Sequence, residues 1–390
     1  MKYILTIIGV ICLLACSSEE TERTIETTSQ MKPIAFGNAY TAAPTRSSAD
    51  YSAELGIGAG QSIGVYAYYH NNSTWSDEAV PNFMWNQQAT CLEKGGDFNY
   101  SPLKYWPNEL SDKLSFMAFF PYTVESPGQT DTPAYPNNAT GLQTLSTNSA
   151  TGLPTFRFTV KETAAEQVDF LVSELLPNLP NGTSGVSPSN ADDRSELTVT
   201  DRVHFLFHHM TSKVEFRIVA DEQIRKDIVK FRLNSLNVSH LYKDGKLTPS
   251  YSAGTTTYAW SEQSAKHGTA PAHIFPLKTL TDYLMMPQQL SDDVMLSIDY
   301  DVTFKSDGTT YTYDGEGHLV PEQDYTFSNS ASIQLNTMKR TGSGSALTEW
   351  EPNHHYVYYI RIGAKAIEFT GQVVEWGATV EMNNIEIEEP

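Results

Sequence analysis

The chain is 390 residues long, and 40% of its residues are apolar and 11% aromatic, which is enough to bury two hydrophobic cores. Its formal net charge of −20 at pH 7 repels nucleic-acid phosphates and argues against nucleic acid as a partner. Beyond the N-terminal leader, no stretch of the sequence is long and apolar enough to be predicted to cross a membrane.

The N-terminus has the form of a secretory leader. Lys2 supplies a positive start, and an apolar run follows from Tyr3 to Ala15. This run is shorter than the roughly 20 residues of a membrane-spanning helix. "LLAC", which ends at Cys16, resembles a lipobox, in which the leader is cut before a cysteine that then carries lipid. We therefore predict a lipoprotein signal peptide over residues 1–15 and lipidation of Cys16; an ordinary secretory leader is the alternative.

The residues after Cys16 are polar and lack aromatic side chains, so residues 16–32 are predicted to be a flexible tether. The acidic sequence "SSEETE" resembles the signal that directs lipoproteins to the outer face of the outer membrane. Cys12 lies in the leader and Cys16 is predicted to be lipidated, which leaves Cys91 without a disulfide partner. We expect Cys91 to be buried as a small apolar residue.

From Pro33 onward the dominant pattern is alternation of apolar and other residues with a period of two, and helical periodicity is nearly absent. Strands with one buried face produce this pattern because successive side chains point to opposite faces. Many short strands separated by Gly, Pro, Asn and Ser predict a mostly β fold of sandwich type. The alternating sets are Ile63, Val65, Ala67 and Tyr69; Leu114, Phe116, Ala118 and Phe120; Val203, Phe205 and Phe207; Val214, Phe216 and Ile218; Val229, Phe231 and Leu233; Leu296, Ile298, Tyr300, Val302 and Phe304; Tyr356, Tyr358, Ile360 and Ile362; and Ile367 and Phe369.

Two polar stretches, residues 123–154 and 176–198, are predicted to be long loops. A new run of strands begins at "IVKFRLNSLNVS", so we place a domain boundary near residues 220–226. The sequence thus predicts an N-terminal β-sandwich over residues 33–222 and a C-terminal one over residues 223–390.

Chemical motifs are weak. His204 and His208 would share a strand face, but two ligands are too few for a structural zinc site. We interpret the histidines, including His209, His354 and His355, as polar residues on a solvent face, with one packed near a strand end. The sequence shows no glycine-rich phosphate loop, calcium loop or serine-nucleophile turn. We therefore expect no catalytic residues, no metal and no cofactor, and predict that the protein is not an enzyme.

Several short motifs occur in one order along the chain. They include Tyr105-Trp106-Pro107, the run from Phe116 to Tyr122 that ends in "FFPY", and "VHFLFHHMTSKVEFRI". In this order they resemble the fimbrillin-like (Mfa-like) proteins of Bacteroidetes, and the C-terminal "YVYYIRIGAKAIEFTGQVVEWG" is also similar to that family's closing strands. The resemblance spans nearly the whole mature chain, and the joint order of the motifs carries it.

This resemblance implies two transthyretin-like β-sandwich domains in tandem and a role as a subunit of type V fimbriae. In that family an arginine-specific protease removes the first strand after export. A strand from the C-terminal end of a neighbouring subunit then fills the groove that is left. Such an exchange restores ladder hydrogen bonds and apolar contacts, and because it is head-to-tail it builds a filament.

Arg46 stands alone among small and polar residues and is the last arginine before Arg157. Together with the resemblance, this position predicts cleavage between Arg46 and Ser47. The removable first strand would lie within residues 33–46 and would carry Ile34, Phe36 and Tyr40 as its alternating apolar residues. The alternatives are that Arg46 is an idle linker charge, or that cleavage occurs at Arg23, which would leave the strand attached.

The tail, residues 378–390, is the candidate donor strand. Val380 and Met382 share one parity and Ile385 and Ile387 share the other, so one continuous strand cannot place all four on one face without a bulge. Either one half of the tail closes its own domain and the other half is donated, or the tail donates nothing.

The sequence therefore predicts a structural and adhesive fimbrial subunit that is exported as an outer-membrane lipoprotein and located at the cell surface or in an extracellular fimbrium. Its predicted partners are other fimbrial subunits, an arginine-specific protease, the outer membrane through Cys16, and a host protein or glycan. The alternative is a permanently lipid-anchored glycan- or ligand-binding protein, or an anchor or tip subunit, that does not polymerise.

Overall fold

A computed structural model of the chain describes residues 32–37, 40–41, 57–109, 111–124, 140–180, 202–221, 226–263, 274–276, 282–306, 311–321, 323–340, 344–363, 367–374, 376 and 387–388. Within these residues the regular structure is β-strand, together with short 3-10 turns at Ala164–Glu166 and Leu335–Thr337. The prediction of a mostly β fold is confirmed. No described helix is long and apolar enough to span a membrane.

The strands are numbered in chain order. Those up to residue 220 are β1 Tyr40–Thr41, β2 Ser62–His70, β3 Met84–Cys91, β4 Phe98–Asn99, β5 Lys113–Phe120, β6 Leu142–Thr144, β7 Phe156–Thr159, β8 Leu171–Ser173, β9 Leu176–Pro180, β10 Leu206–His209 and β11 Ser212–Ala220. Those after it are β12 Ile228–Ser239, β13 Asp244–Ser252, β14 Thr255–Ser261, β15 Ile274–Pro276, β16 Tyr283–Met285, β17 Gln288–Gln289, β18 Met295–Phe304, β19 Tyr311–Tyr313, β20 Leu319–Pro321, β21 Tyr325–Gln334, β22 Lys339–Arg340, β23 Glu349–Trp350, β24 His355–Ile362, β25 Ile367–Val374 and β26 Ile387–Glu388.

An eight-stranded sheet organises the first half of the chain, in the order β1-β10-β8-β5-β2-β3-β4, with β9 also paired to β5. Its central strands β2 and β5 are buried along nearly their whole length. The alternation in "SIGVYAYY" and "LSFMAFF" indicated one buried face, but both faces are buried. The intervening residues, among them Tyr66, Tyr68, Met117 and Phe119, belong to a second core on the opposite side.

A four-stranded sheet, β14-β13-β7-β6, packs on that opposite side. The ring of Phe119 on β5 lies 5.0 Å from that of Phe156 on β7, which in turn lies 5.5 Å from that of Phe170. Both predicted long loops contain strands: β6 is buried within the first, and β9 begins the second. A polar composition therefore did not exclude pairing in these stretches.

Two five-stranded sheets organise the second half of the chain. One has the order β16-β11-β24-β25-β22, and the other has the order β15-β12-β18-β21 with β26 also paired to β12. Their buried faces share one apolar core, in which Phe216 stacks on Tyr358 at 5.3 Å and Phe231 stacks on Tyr300 at 5.3 Å.

Among the described residues, strand pairing crosses the predicted boundary at residues 222/223 in three places. β11 pairs in antiparallel fashion with β16 from Ser212↔Met285 to Val214↔Tyr283. β11 pairs in parallel with β24 from Lys213↔His355 to Ala220↔Ile362. β13 pairs with β7, so a hairpin from the second half of the chain completes a sheet of the first half. The division into two tandem domains at this boundary remains a prediction.

Buried tyrosines make the stability of this core sensitive to alkaline pH. Burial raises the pKa of Tyr356 to about 12, and it also raises the pKa of Tyr68 and of Tyr358. The folded state therefore holds these phenolic protons more tightly than the unfolded state, whose tyrosines titrate near pH 10.

We expect the free energy of unfolding to be insensitive to tyrosine titration below pH 10 and to fall as the pH rises from about 10 to 12. Guanidinium denaturation at a series of pH values, with tyrosinate absorbance recorded in parallel, measures this slope. Tyr356→Phe removes one titrating group and should make the slope shallower. A free energy of unfolding that stays constant over this range would contradict the prediction.

Candidate functional site

The N-terminal segment (residues 32–37 and 40–41) fills a cleft between two stretches of chain, the 97–106 wall and the 202–207 wall. On the first wall, the main-chain N–H of Ile34 donates to the carbonyl oxygen of Lys104 at 2.8 Å. The N–H of Phe98 donates to the carbonyl oxygen of Phe36 at 3.1 Å. Residues of the segment thus pair in antiparallel fashion with this wall.

The segment pairs in parallel with the 202–207 wall. The N–H of Gly37 donates to the carbonyl oxygen of Val203 at 2.9 Å, and the N–H of Val203 donates to that of Ala35 at 2.8 Å. Further along, β1 continues this pairing with β10. The segment therefore forms main-chain hydrogen bonds on both sides, as a strand inside a sheet does.

The side chains of Ile34 and Phe36 are buried beneath the segment, each with 1% exposure. They belong to the core that covers one face of the eight-stranded sheet. The Phe36 ring contacts three other aromatic rings: Tyr100 at 5.1 Å, Phe205 at 5.6 Å and Phe116 at 6.1 Å. The segment thus closes an aromatic pocket that would otherwise be open to water.

Tyr100 ties the segment to its wall through a side chain. Its hydroxyl donates to the carbonyl oxygen of Ile34 at 2.8 Å, and burial raises the pKa of Tyr100 above its ordinary value. The phenol therefore remains protonated, and able to donate, at neutral pH.

Gly37 lies directly against the imidazole of His204, a residue of the 202–207 wall that is only 8% exposed. A Cβ added at Gly37 would lie 2.7 Å from Nδ1 and 2.8 Å from Nε2 of that ring. Such separations are far below van der Waals contact. The cleft therefore accepts a residue without a side chain at this position.

An ion pair joins the two walls next to Phe36. Arg202 contacts the carboxylate of Asp97, and these residues precede Val203 and Phe98, the two that pair with Phe36. Both side chains are more than a third exposed, so screening by solvent keeps the contribution of the pair small.

The predicted first-strand residues are therefore found in one place: Ile34 and Phe36 lie in the cleft, and the backbone of Tyr40 lies in β1. The other predicted positions, Cys16, Arg46, Ser47, Val380, Met382 and Ile385, lie outside the described residues. In the tail, the backbone of Ile387 and Glu388 pairs in parallel with Phe231 and Arg232 of β12 in the same chain.

Sequence reasoning did not identify the walls of the cleft. Tyr100 and Phe98 had no assigned role, and His204 was interpreted only as a polar strand residue. Val203, Phe205 and Phe207 were recognised as an alternating apolar set. The tight approach of His204 to Gly37 has no local signal, because the two residues are far apart in sequence.

The interpretation of the histidines as mainly solvent-facing was wrong. His204, His209 and His355 are buried. The Nδ1 atom of His209 lies 2.7 Å from a carboxylate oxygen of Asp169, and its ring stacks at 3.9 Å on Trp376. Asp169 and Trp376 are far from His209 in sequence, so only the folded chain brings them to its ring.

One group of side chains has the composition of a metal site. Ligand atoms of Glu215, Asp282 and His355 lie within 4.8 Å of one another. However, Lys213 contacts the carboxylate of Asp282, and Arg217 Nε lies 2.6 Å from that of Glu215. Both carboxylates are thus neutralised by cations of the protein, and we interpret the group as an ion-pair network.

The pKa of Glu215 agrees with this interpretation. Burial by itself would raise the pKa, but contacts with His355 and Arg217 outweigh burial and hold it below its ordinary value.

Cys91 is buried, as expected, and its S–H contacts the carbonyl oxygen of Glu93 at 2.9 Å. Burial raises the pKa of this thiol, which makes it a poor nucleophile.

Fold and cleft together define a mostly β protein in which an N-terminal segment completes an apolar cleft by strand pairing. The sequence profile of the fimbrillin-like family matches residues 45–376, and the chain belongs to that family. This membership supports a role as a fimbrial subunit or adhesin at the cell surface, and it points to a structural protein rather than an enzyme. No curated protein matches the chain.

Solved structures similar to this chain include a fimbrial protein from Bacteroides vulgatus, with 16% identity, a TM-score of 0.53, and coverage of 89% of this chain and 100% of that one. A fimbrilin from Porphyromonas gingivalis has 10% identity, a TM-score of 0.38, and coverage of 90% and 99%. The tip fimbrial protein of the same species, truncated at its C-terminus, has 12% identity, a TM-score of 0.33, and coverage of 88% and 100%. At these identities, the B. vulgatus likeness supports the fold alone.

Proposed function

We propose that the chain is the precursor of a structural and adhesive subunit of a type V cell-surface fimbria. It is exported as a lipoprotein through Cys16, and an arginine-specific protease then cuts between Arg46 and Ser47. A strand from a neighbouring subunit replaces the N-terminal segment and links the subunits into a filament.

The observation that carries this proposal is the way the N-terminal segment is held. Its contacts are main-chain hydrogen bonds to two walls and two buried apolar side chains, Ile34 and Phe36. A cut after Arg46 would leave residues 32–41 without a covalent link to the rest of the fold. Non-covalent contacts of this kind can be made equally well by a strand of another chain.

Loss of the segment would leave unpaired main-chain groups on both walls and an open aromatic pocket. Burial of each large apolar side chain is worth about 1.5–3 kcal/mol, so the open cleft would bind a suitable strand strongly. The family match begins at residue 45, next to the proposed cut, and ends at residue 376, before the candidate donor tail. The candidate donor tail thus lies outside the matched region, and so does the removable N-terminal piece except for its last two residues.

One observation favours a subunit that does not donate its tail. β26 pairs with β12 of the same chain, so residues 387–388 would have to leave that strand before donation. A permanently anchored lipoprotein that binds a host protein or glycan, or an anchor or tip subunit, is therefore the second candidate.

The first test is the N-terminal sequence and intact mass of the protein isolated from its native cell surface. We expect the wild type to start at Ser47 and to carry no lipid. Arg46→Ala should keep the lipidated N-terminus at Cys16 and should not enter fimbriae, because its cleft stays filled.

Arg23→Ala is the matched control, since it removes the rival arginine and should leave a start at Ser47. A wild-type protein that begins at lipidated Cys16 would contradict cleavage and support the anchored alternative. Processing of Arg46→Ala at its usual position would rule out arginine-specific cleavage there.

A further inference from the structure

β21 forms the outer edge of the second-half sheet β15-β12-β18-β21, and among the described residues no strand pairs with its free side. The strand is ten residues long, from Tyr325 to Gln334. It pairs with β18 through ten consecutive residue pairs without a register shift. A long and regular edge of this kind presents main-chain groups that can accept another strand. The N–H of Ser330 donates to Oδ1 of its neighbour Asn329 at 3.0 Å and would have to leave this local bond if it pairs with another strand.

This edge lacks the features that normally prevent such pairing. Its sequence, "YTFSNSASIQ", contains no charged residue, proline or glycine, although the chain as a whole carries a net charge of −20. Lysine, proline and bulges are the usual protection of exposed edges. The absence of all of them from this strand therefore requires an explanation.

Exposed aromatic side chains adjoin the edge. Tyr325 is 42% exposed and Phe327 is 55% exposed, and their rings pack against each other at 5.2 Å. Phe304, opposite Tyr325 on β18, contacts both rings at 5.8 and 6.2 Å. An apolar patch beside an open edge is typical of an interaction surface.

The strand is complementary to itself. An antiparallel pair of two copies related by a two-fold axis at Asn329 places Tyr325 opposite Ile333 and Phe327 opposite Ala331. On the other face, hydroxyl residues lie opposite one another: Thr326 with Ser332, and Ser328 with Ser330. Apolar residues thus meet apolar residues, and no like charges meet.

We infer that the free edge of β21 pairs with β21 of a second copy of this chain, in antiparallel register about Asn329. The contact joins the two sheets into one continuous sheet across the two-fold axis and covers Tyr325 and Phe327. It is separate from the cleft, and the uncleaved chain keeps its N-terminal segment in place. Its test therefore does not depend on strand exchange.

Sedimentation of the uncleaved full chain, with Cys12 and Cys16 replaced by serine to prevent lipidation, tests the interface. We expect twice the mass of a single chain for this protein. Asn329→Lys places two like charges together at the axis and should give the single-chain mass with an unchanged circular dichroism spectrum, while its melting temperature falls by the stabilisation that dimerisation supplies. Asn329→Ser removes the hydrogen bonds of the Asn329 side chain to Tyr300 and to the N–H of Ser330 without adding charge, and it should remain dimeric.

Disulfide trapping in the same background tests the register. Asn329→Cys should form an intermolecular disulfide, because directly opposed residues lie about 4.5–5.5 Å apart. Ser330→Cys is the matched control, since its two copies would be about 8 Å apart, beyond disulfide reach. In the sedimentation experiment, a single-chain mass for the starting protein would overturn the inference and would mean that another segment or protein covers the edge. In the trapping experiment, equal cross-linking of both cysteine variants would overturn the proposed register.

Discussion

Replacement of Phe36 by alanine is expected to destabilise the docked N-terminal segment by about 3–5 kcal/mol, the usual cost of removing a buried aromatic side chain. Phe36 is 1% exposed and contacts the rings of Tyr100, Phe116 and Phe205. Because the segment is held by non-covalent contacts, the loss should appear first as local opening of the cleft. Hydrogen exchange at the amides of Gly37 and Val203 measures this opening.

We expect exchange at these two amides to be faster in Phe36→Ala by at least about a hundredfold. Leu103→Ala is the control, because Leu103 belongs to the 97–106 wall but is 52% exposed. That variant should change stability by no more than about 0.5 kcal/mol. Unchanged exchange in Phe36→Ala would show that the segment does not depend on its aromatic pocket.

Replacement of Gly37 by alanine should have the second-largest effect on the stability of the docked segment. Phe36→Ala removes buried side-chain volume, whereas Gly37→Ala adds it. The new methyl group would enter space occupied by the His204 imidazole, which is buried and closely packed. Overpacking of this kind costs about 1–3 kcal/mol. We expect a lower free energy of unfolding in chemical denaturation and faster hydrogen exchange at the amide of Val203, which pairs with the segment beside Gly37.

The effect of Gly37→Ala should depend on His204. In a His204→Ala background the obstructing ring is gone, so the same methyl group should be tolerated, with a coupling energy of about 1 kcal/mol or more between the two sites. Gly58→Ala is the control, since a Cβ there meets its nearest neighbour, Gln61 Oε1, at 3.6 Å. Equal effects of Gly37→Ala in both backgrounds would show that His204 does not control this position.

If a strand of another subunit replaces the N-terminal segment, the His204 ring that lies against Gly37 also restricts which residues the incoming strand can carry. A replacement that copies the N-terminal segment needs two large apolar residues in alternate positions followed by a residue with no side chain, as in Ile34, Phe36 and Gly37. The tail residues 378–390 contain no glycine. A donor tail would therefore have to displace the His204 ring or pair in a different register.

Sequence patterns identified several of the longer strands, although not β3, β13, β14 or β21, and they indicated the burial of Cys91. Apolar alternation placed β2, β5, β11, β18 and β24 close to their observed positions, because the direction of successive side chains along a strand is a local property. The same local pattern could not show that both faces of β2 and β5 are buried. That depends on which other layers pack against the sheet.

The cleft is formed by contacts between segments that are distant in the chain. Phe36 contacts residues at 98, 100, 116 and 205, and no local pattern links positions so far apart. Tertiary packing also buries His209 and His355 beside carboxylates and pairs β13 with β7 in one sheet. Strands pair through main-chain hydrogen bonds, which differ little from one residue type to another. A local sequence pattern can therefore show which residues form a strand, but it does not show which other strand they pair with.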